Sequence, residues 1–256
     1  MKSLKTITIL SVLGAREWIR LKFFHLVIFI SILFIGFSHL LSSLTFAVQE
    51  RLLIDFGLSG LELGLILIST LIGSHSIQRE IDRKTLFVLL ARPLPRWHIV
   101  IGAWGALVIL NCFFTIGFGF SLLVTSGFWK LSSGYALACA ISLVKSFLIS
   151  SVAIALGLLV RPILAFGTAV SFWILCYSLP DIQFFAEKLK NPVLIQITKI
   201  LDYLIPQFYR FNWKSYYAVT TPPDLNQILW ALSHTFGWTM LWLFLASLFF
   251  KRKEIA

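Results

Sequence analysis

The sequence predicts an all-helical integral membrane protein of six transmembrane helices, with an interfacial elbow helix before the first span and an amphipathic helix on the outer side. Three observations carry that prediction. The chain is 58% hydrophobic and only 13% charged, with a mean hydropathy of +0.88, a balance that ordinary soluble domains do not have. Its apolar residues gather into six runs, each reaching the ~20 residues a helix needs to cross the hydrocarbon. Its charges cluster in the segments between those runs. Spans and connections use up all 256 residues, so a single membrane domain over 1–256 is expected, with no separate soluble domain.

In chain order, residues 2–22 come first. Lys2, Lys5, Arg16, Arg20 and Lys22 alternate with Leu4, Ile7, Leu10, Trp18, Ile19 and Leu21. No small-residue cleavage site follows the first apolar run, so a secretory signal is excluded and a helix lying in the inner interface is expected. It serves either as an elbow that positions the first span or as a topogenic anchor. The spans fall at 23–47, 57–77, 97–125, 133–160, 163–181 and 228–250. An even number puts both termini on one side. With the termini in the cytoplasm, the inner segments hold the larger share of Lys and Arg: the basic start, the segment 78–96, Arg161, and Lys251 to Lys253. Most of the remaining cations lie in one long outer connection, where the charge rule weakens, so cytoplasmic termini are expected.

The stretch Gln78 to Arg96, QREIDRKTLFVLLARPLPR, is the most informative. Arg79, Glu80, Asp82, Arg83, Lys84, Arg92 and Arg96 make it too charged for a bilayer core. Ile81, Thr85, Leu86, Leu89 and Leu90 recur at helical spacing, an apolar stripe that must face something. Pro93 and Pro95 close any helix before the next span starts at Trp97. A solvated loop of topogenic cations is the plainer reading, with Glu80 and Lys84 paired at i, i+4 for ~0.3 kcal/mol.

Residues Glu80, Lys84, Thr85, Leu86, Leu89, Leu90, Pro93 and Arg96, in that order after a long second span, resemble the pattern of ABC-2 type transporter permeases, including the six-helix NosY-like branch. Asp55-Phe56-Gly57-Leu58-Ser59 resembles the start of that family's second helix. The resemblance implies a permease that works as a homodimer, or as a heterodimer with a second permease, together with a separate ABC ATP-binding subunit. It implies that ATP and Mg act on that partner, that this chain binds no cofactor itself, and that 78–96 is the coupling element, with Glu80, Arg83, Leu86 and Leu89 as its contacts to the ATPase. Where the family often has Gly-Lys after the Arg, this chain has Gly102-Ala103, so no role of that Lys is carried over.

Within the spans, Gly102, Gly105, Gly117 and Gly119 read as packing surfaces, because small residues let helices approach closely in lipid. Cys112, Cys139 and Cys176 lie in apolar runs without metal-ligand spacing and read as small core residues. Lys145 is different. It falls near the middle of its span, where a charge costs ~2.5–3.5 kcal/mol on insertion scales unless it is paired or faces water. Glu62 is the one acid well inside a predicted span, and the two can meet where their depths match. A substrate pathway and a structural intramembrane pair both remain open for them.

The fourth and fifth spans are joined by little more than Arg161-Pro162, which leaves no room for a second coupling element. In the outer connection 181–227, Asn191 and Pro192 read as an N-cap and first helical residue, and Pro206 closes the helix. Val193, Leu194, Ile197, Leu201 and Leu204 share one face, which places this helix on the outer leaflet. Phe208, Tyr209, Phe211, Trp213, Tyr216 and Tyr217 follow, interleaved with Arg210 and Lys214: an interfacial belt, or else a gate or docking surface.

No G-x-x-x-x-G-K-[ST] loop is present, so the chain itself is not expected to hydrolyse ATP. The five His show no ligand spacing, and no Ser sits in a G-x-S-x-G turn, so neither a metal site nor catalytic residues are expected. The net charge of +11 comes with no nucleic-acid-binding motif and reads as retained cytoplasmic cations beside a lipid bilayer. The expectation is therefore a non-enzymatic permease subunit in the inner (plasma) membrane, more an exporter than an importer. The alternatives are a non-transporting scaffold or assembly factor for an envelope complex, and an intramembrane enzyme built on Lys145 and Glu62.

Overall fold

The structure is a computed structural model that describes residues 2–20, 22–43, 49–82, 95–126, 133–213 and 223–252. Every element among them is helical. That is the outcome a lipid solvent dictates, since each backbone N–H and C=O must find its partner within the segment. The helices are α1 (Lys2–Ile19), α2 (Lys22–Ser43), α3 (Gln49–Leu67), a π-turn (Ile68–Ile72), α4 (Gly73–Asp82), α5 (Arg96–Ser126), α6 (Ser133–Leu159), α7 (Pro162–Lys188), α8 (Pro192–Leu204), a 3-10 turn (Phe208–Phe211) and α9 (Leu225–Arg252). Five of them are long and apolar enough to cross a membrane: Leu53–Asp82, Arg96–Thr125, Gly134–Leu159, Pro162–Lys188 and Leu225–Arg252. α2 carries a shorter apolar stretch, Val27–Phe37.

α6 is the centre of the bundle. Leu148, Ile149, Val152, Ala153, Ile154 and Ala155 are all buried along it, and α3, α4, α5, α7 and α9 pack around it. The closest approach is to α4, where a methyl at Gly157 would overlap the Ser74 carbonyl and one at Gly73 would lie 2.8 Å from Ala153 Cβ. Backbone packed on backbone is how helices adhere where apolar burial gives no net drive. The same device seats α1 across the first turns of α5, where Leu10 meets Gly102, Ser11 meets Gly105 and Gly14 meets Ala106.

Several helices run past the spans drawn from hydropathy. α3 begins at Gln49, eight residues before the expected span, and α7 runs on to Lys188 past Asp181. A helix is held by its backbone and need not stop at the bilayer surface. Pro180 removes only one donor from α7, and Ile182, Phe184 and Phe185 continue its apolar surface. Gln78 to Asp82 likewise prolong the second span rather than starting a helix of their own. Residues 83–94, which include Arg83, Leu86 and Leu89, lie outside the described residues.

α8 has the cap its sequence predicts: Asn191 Oδ1 accepts from Val193 N at 3.0 Å and Leu194 N at 3.4 Å. It packs on α7 through Thr198, 3% exposed, and turns Val193, Ile197, Ile200, Tyr203 and Leu204 outward. The aromatic run after it departs from a simple interfacial belt. Phe208 and Trp213 are buried in a core cluster with Cys176, Ile149 and Ala231, while Tyr209 and Arg210 stay at the edge. A 3-10 turn sets successive side chains about 120° apart, so one turn carries both buried and exposed residues, and composition cannot tell which side is inward.

Candidate functional site

α3, α6 and α7 each contribute one member of a polar triad in the bundle's interior. Glu62 comes from α3, Lys145 from the middle of α6 and Tyr177 from α7. Lys145 Nζ lies 3.4 Å from Glu62 Oε1 and donates to the Tyr177 hydroxyl at 2.5 Å; that hydroxyl donates in turn to Glu62 Oε1 at 2.5 Å. Both charged residues are 2% exposed. The ammonium also stands 5.0 Å from the centre of the Tyr177 ring, which Trp173 and Phe208 support edge-on and at a tilt. Tyr177 thus accepts from the cation and donates to the anion, the one arrangement in which a neutral hydroxyl bridges an ion pair. Lys145 sits about 18 Å from the start of α6, at 1.5 Å per residue over twelve residues. Glu62 and Lys145 are therefore brought together, at matching depth.

Six residues beyond Glu62, nearly two helical turns along, the backbone widens into the π-turn, and a second polar layer forms there. Asn111 Nδ2 on α5 donates to Ser69 Oγ at 2.9 Å and to Ser150 Oγ at 3.3 Å. The two hydroxyls are 3.1 Å apart, and both reach the Ser146 carbonyl, at 3.2 and 2.7 Å. All four residues are fully or almost fully buried. Ser146 follows Lys145 directly, so the layer and the ion pair share a turn of α6. In a low-dielectric interior such a network is valuable only when satisfied, and it ties three helices at one point.

About 30 Å from Glu62, at Asp82, the same helix reaches the end of the bundle. Here Arg79 pairs with Glu17 on α1 at 3.1 Å and lies 5.0 Å over the Trp18 ring. Arg96, opening α5, donates to the Phe250 and Lys251 carbonyls at 3.0 and 3.3 Å and so caps the last turn of α9. Glu80 is half-buried at this base. The other residues expected to meet an ATPase, Arg83, Leu86 and Leu89, fall outside the described residues.

Tyr177 was not marked out by charge or motif. Its signal is a phenol in mid-span, where a buried hydroxyl needs a partner. Asn111 carries the same signal. The π-turn has no signal in composition, because it is a register effect. At the opposite end Arg210 lies 3.9 Å from Asp202, over the rings of Tyr209 (5.8 Å) and Trp230 (5.6 Å).

The family model described as ABC-2 family transporter protein matches residues 63–255, from the residue after Glu62 to near the C-terminus. No curated protein matches the chain significantly.

Proposed function

Because the chain belongs to the ABC-2 family of transporter proteins, we propose that it is the membrane-spanning permease subunit of an ATP-driven exporter, with hydrolysis carried by a separate ATP-binding subunit. The observation that carries the mechanism is the unbroken helix from Gln49 to Asp82. One rod holds Glu62 in the ion pair and Arg79 and Glu80 at the base. A push on the base is therefore delivered to the Lys145 site. The segment 78–96 is the grip, with Glu80, Arg83, Leu86 and Leu89 contacting the ATPase. Arg79–Glu17 makes α1, the elbow, move with it.

In this reading α2 is the first of six spans, the base with both termini faces the cytoplasm, the membrane is the inner (plasma) membrane, and two permeases pair around two ATP-binding subunits. α8 then lies on the outer leaflet, its exposed apolar face in lipid and Arg210 at headgroup level. Lys145 and Glu62 form the polar point on the substrate path and part when the base is pushed. Each ion desolvated at mid-span costs several kcal/mol, so the pair re-forms whenever nothing replaces it. The scaffold alternative is favoured by one observation: Lys145 and Tyr177 already hold Glu62 Oε1 between them, which suits a machine that transmits force without cargo.

Co-purification tests the proposal. Wild-type chain should retain its ATP-binding subunit through detergent extraction, and a Glu80→Ala, Leu86→Asp, Leu89→Asp variant that still inserts should lose it. Equal retention by the variant would remove 78–96 from the interface.

A further inference from the structure

The π-turn sets which way Glu62 faces. A π-turn accommodates one residue more than the α-helix around it, equivalent to about 100° of rotation at 3.6 residues per turn. Glu62 lies on one side of Ile68–Ile72 and Arg79 on the other. Each makes a contact that depends on azimuth: Glu62 with Lys145 on α6, Arg79 with Glu17 on α1. If the turn relaxed to α with all five residues kept, the two ends would rotate relative to each other by about 100°. At a side-chain radius of ~5–6 Å that swings Glu62 by about 8 Å, far beyond the 3.4 Å that separates it from Lys145.

The surroundings hold the paired register at two places. In the outer half of α3, Leu122, Phe34 and Phe114 fill the space that a Cβ at Gly57, Gly60 and Gly64 would take, so this face is fitted to its neighbours and a rotation of the helix must move those three side chains. At the turn itself Ser69 is held by Asn111, Ser150 and the Ser146 carbonyl. Asn111 is fully buried, and its Oδ1 has no hydrogen-bond partner among the described residues. A buried amide with an idle acceptor costs stability, which an apolar side chain at 111 would not. Its donation to Ser69 and Ser150 is what it supplies in return.

We propose that the π-turn is a register switch between a paired and an unpaired Glu62–Lys145, and that Asn111, Ser69 and Ser150 are positioning residues that hold it in the paired register. That a stroke at the base drives the switch rests on the permease reading; the lock itself does not. In the unpaired register Lys145 offers its ammonium to an anionic group, and in the paired register Glu62 takes that place.

The test uses the full chain in lipid nanodiscs with its six tyrosines as 3-fluorotyrosine, the resonance of Tyr177 being identified by its loss in Tyr177→Phe. Because that hydroxyl donates to Glu62, its fluorine signal reports the register. Wild type should give one dominant resonance. Asn111→Leu should raise a second resonance about tenfold, the effect of losing two buried hydrogen bonds, and Ser69→Ala/Ser150→Ala should do the same. Deleting Leu71, the one residue of the turn that is not buried, removes the extra residue while leaving both flanks in register. On the Asn111→Leu background it should restore the single resonance, a repair that mere loosening of the core would not show. An Asn111→Leu spectrum identical to wild type, or a second resonance that persists after the deletion, overturns the switch. These spectra need no partner, so that failure leaves the permease reading standing, whereas failure to bind an ATP-binding subunit sinks that reading alone.

Discussion

Replacing Lys145 by Met keeps the length and volume of the side chain and removes its charge. The Glu62 carboxylate, 2% exposed, is then left with the Tyr177 hydroxyl in place of a cation. At 3.4 Å and an effective dielectric near 20, Coulomb's law gives the pair about 5 kcal/mol. Removing one member of a buried pair typically costs 3–5 kcal/mol, because the survivor stays desolvated. Lys145→Met should therefore destabilise the protein by about 3–4 kcal/mol, a large part of the ~5–15 kcal/mol that holds a native domain. Adding Glu62→Gln removes the stranded charge, and Tyr177 can still donate to the amide oxygen. The double variant should return to within about 1–2 kcal/mol of wild type, a coupling energy of ~2 kcal/mol or more. Nine tryptophans supply the fluorescence signal for reversible unfolding in mixed micelles. A loss below ~1 kcal/mol for Lys145→Met, or a double variant as unstable as the single, would refute the view that the two charges are held against each other.

Two further outcomes follow from single contacts. Gly157→Val should cost about 2 kcal/mol or more, because its methyls overlap the Ser74 carbonyl and the α4–α6 contact has no flexible side chain to move aside; a melting shift within error would contradict that packing. Arg96→Ala should cost about 1 kcal/mol and speed amide exchange selectively in the last turn of α9, whose carbonyls at Phe250 and Lys251 lose their cap; unchanged exchange there would show that the cap is idle.

Hydropathy marked the helices well and their ends poorly. The runs at 97–125 and 133–160 lie within a residue of α5 and α6 at each end, since the apolar stretch of each helix runs almost its whole length. The starts of α3 and the end of α7 lay outside hydropathy's reach, because charged turns such as those around Asp55 and Asp181 remain helical while leaving the apolar slab. Lys145 and Glu62 were legible because a charge in mid-span demands a partner, and each was the only one of its sign at that depth. Tyr177 and Asn111 demand partners too, but more weakly, and a neutral hydroxyl or amide among six apolar runs draws no notice until its neighbours are known. Phe208 and Trp213 show the opposite failure. Aromatics beside cations suggest an interface, yet Phe208 in the 3-10 turn and Trp213 just after it are buried against α6, α7 and α9. The π-turn is invisible to composition for a simpler reason: Ile68 to Ile72 is as apolar as the α-helix on either side, and only the tertiary contacts at both ends reveal the extra residue.

The permease account is tested most directly by the rate of ATP hydrolysis of the ATP-binding subunit in lipid vesicles, measured alone, with this chain, and with a Leu86→Asp, Leu89→Asp variant shown to be inserted. A rate that the wild-type chain changes severalfold and the variant does not is the predicted result. A rate indifferent to the presence of the chain would contradict the coupling of its base to an ATPase and leave a membrane scaffold in its place.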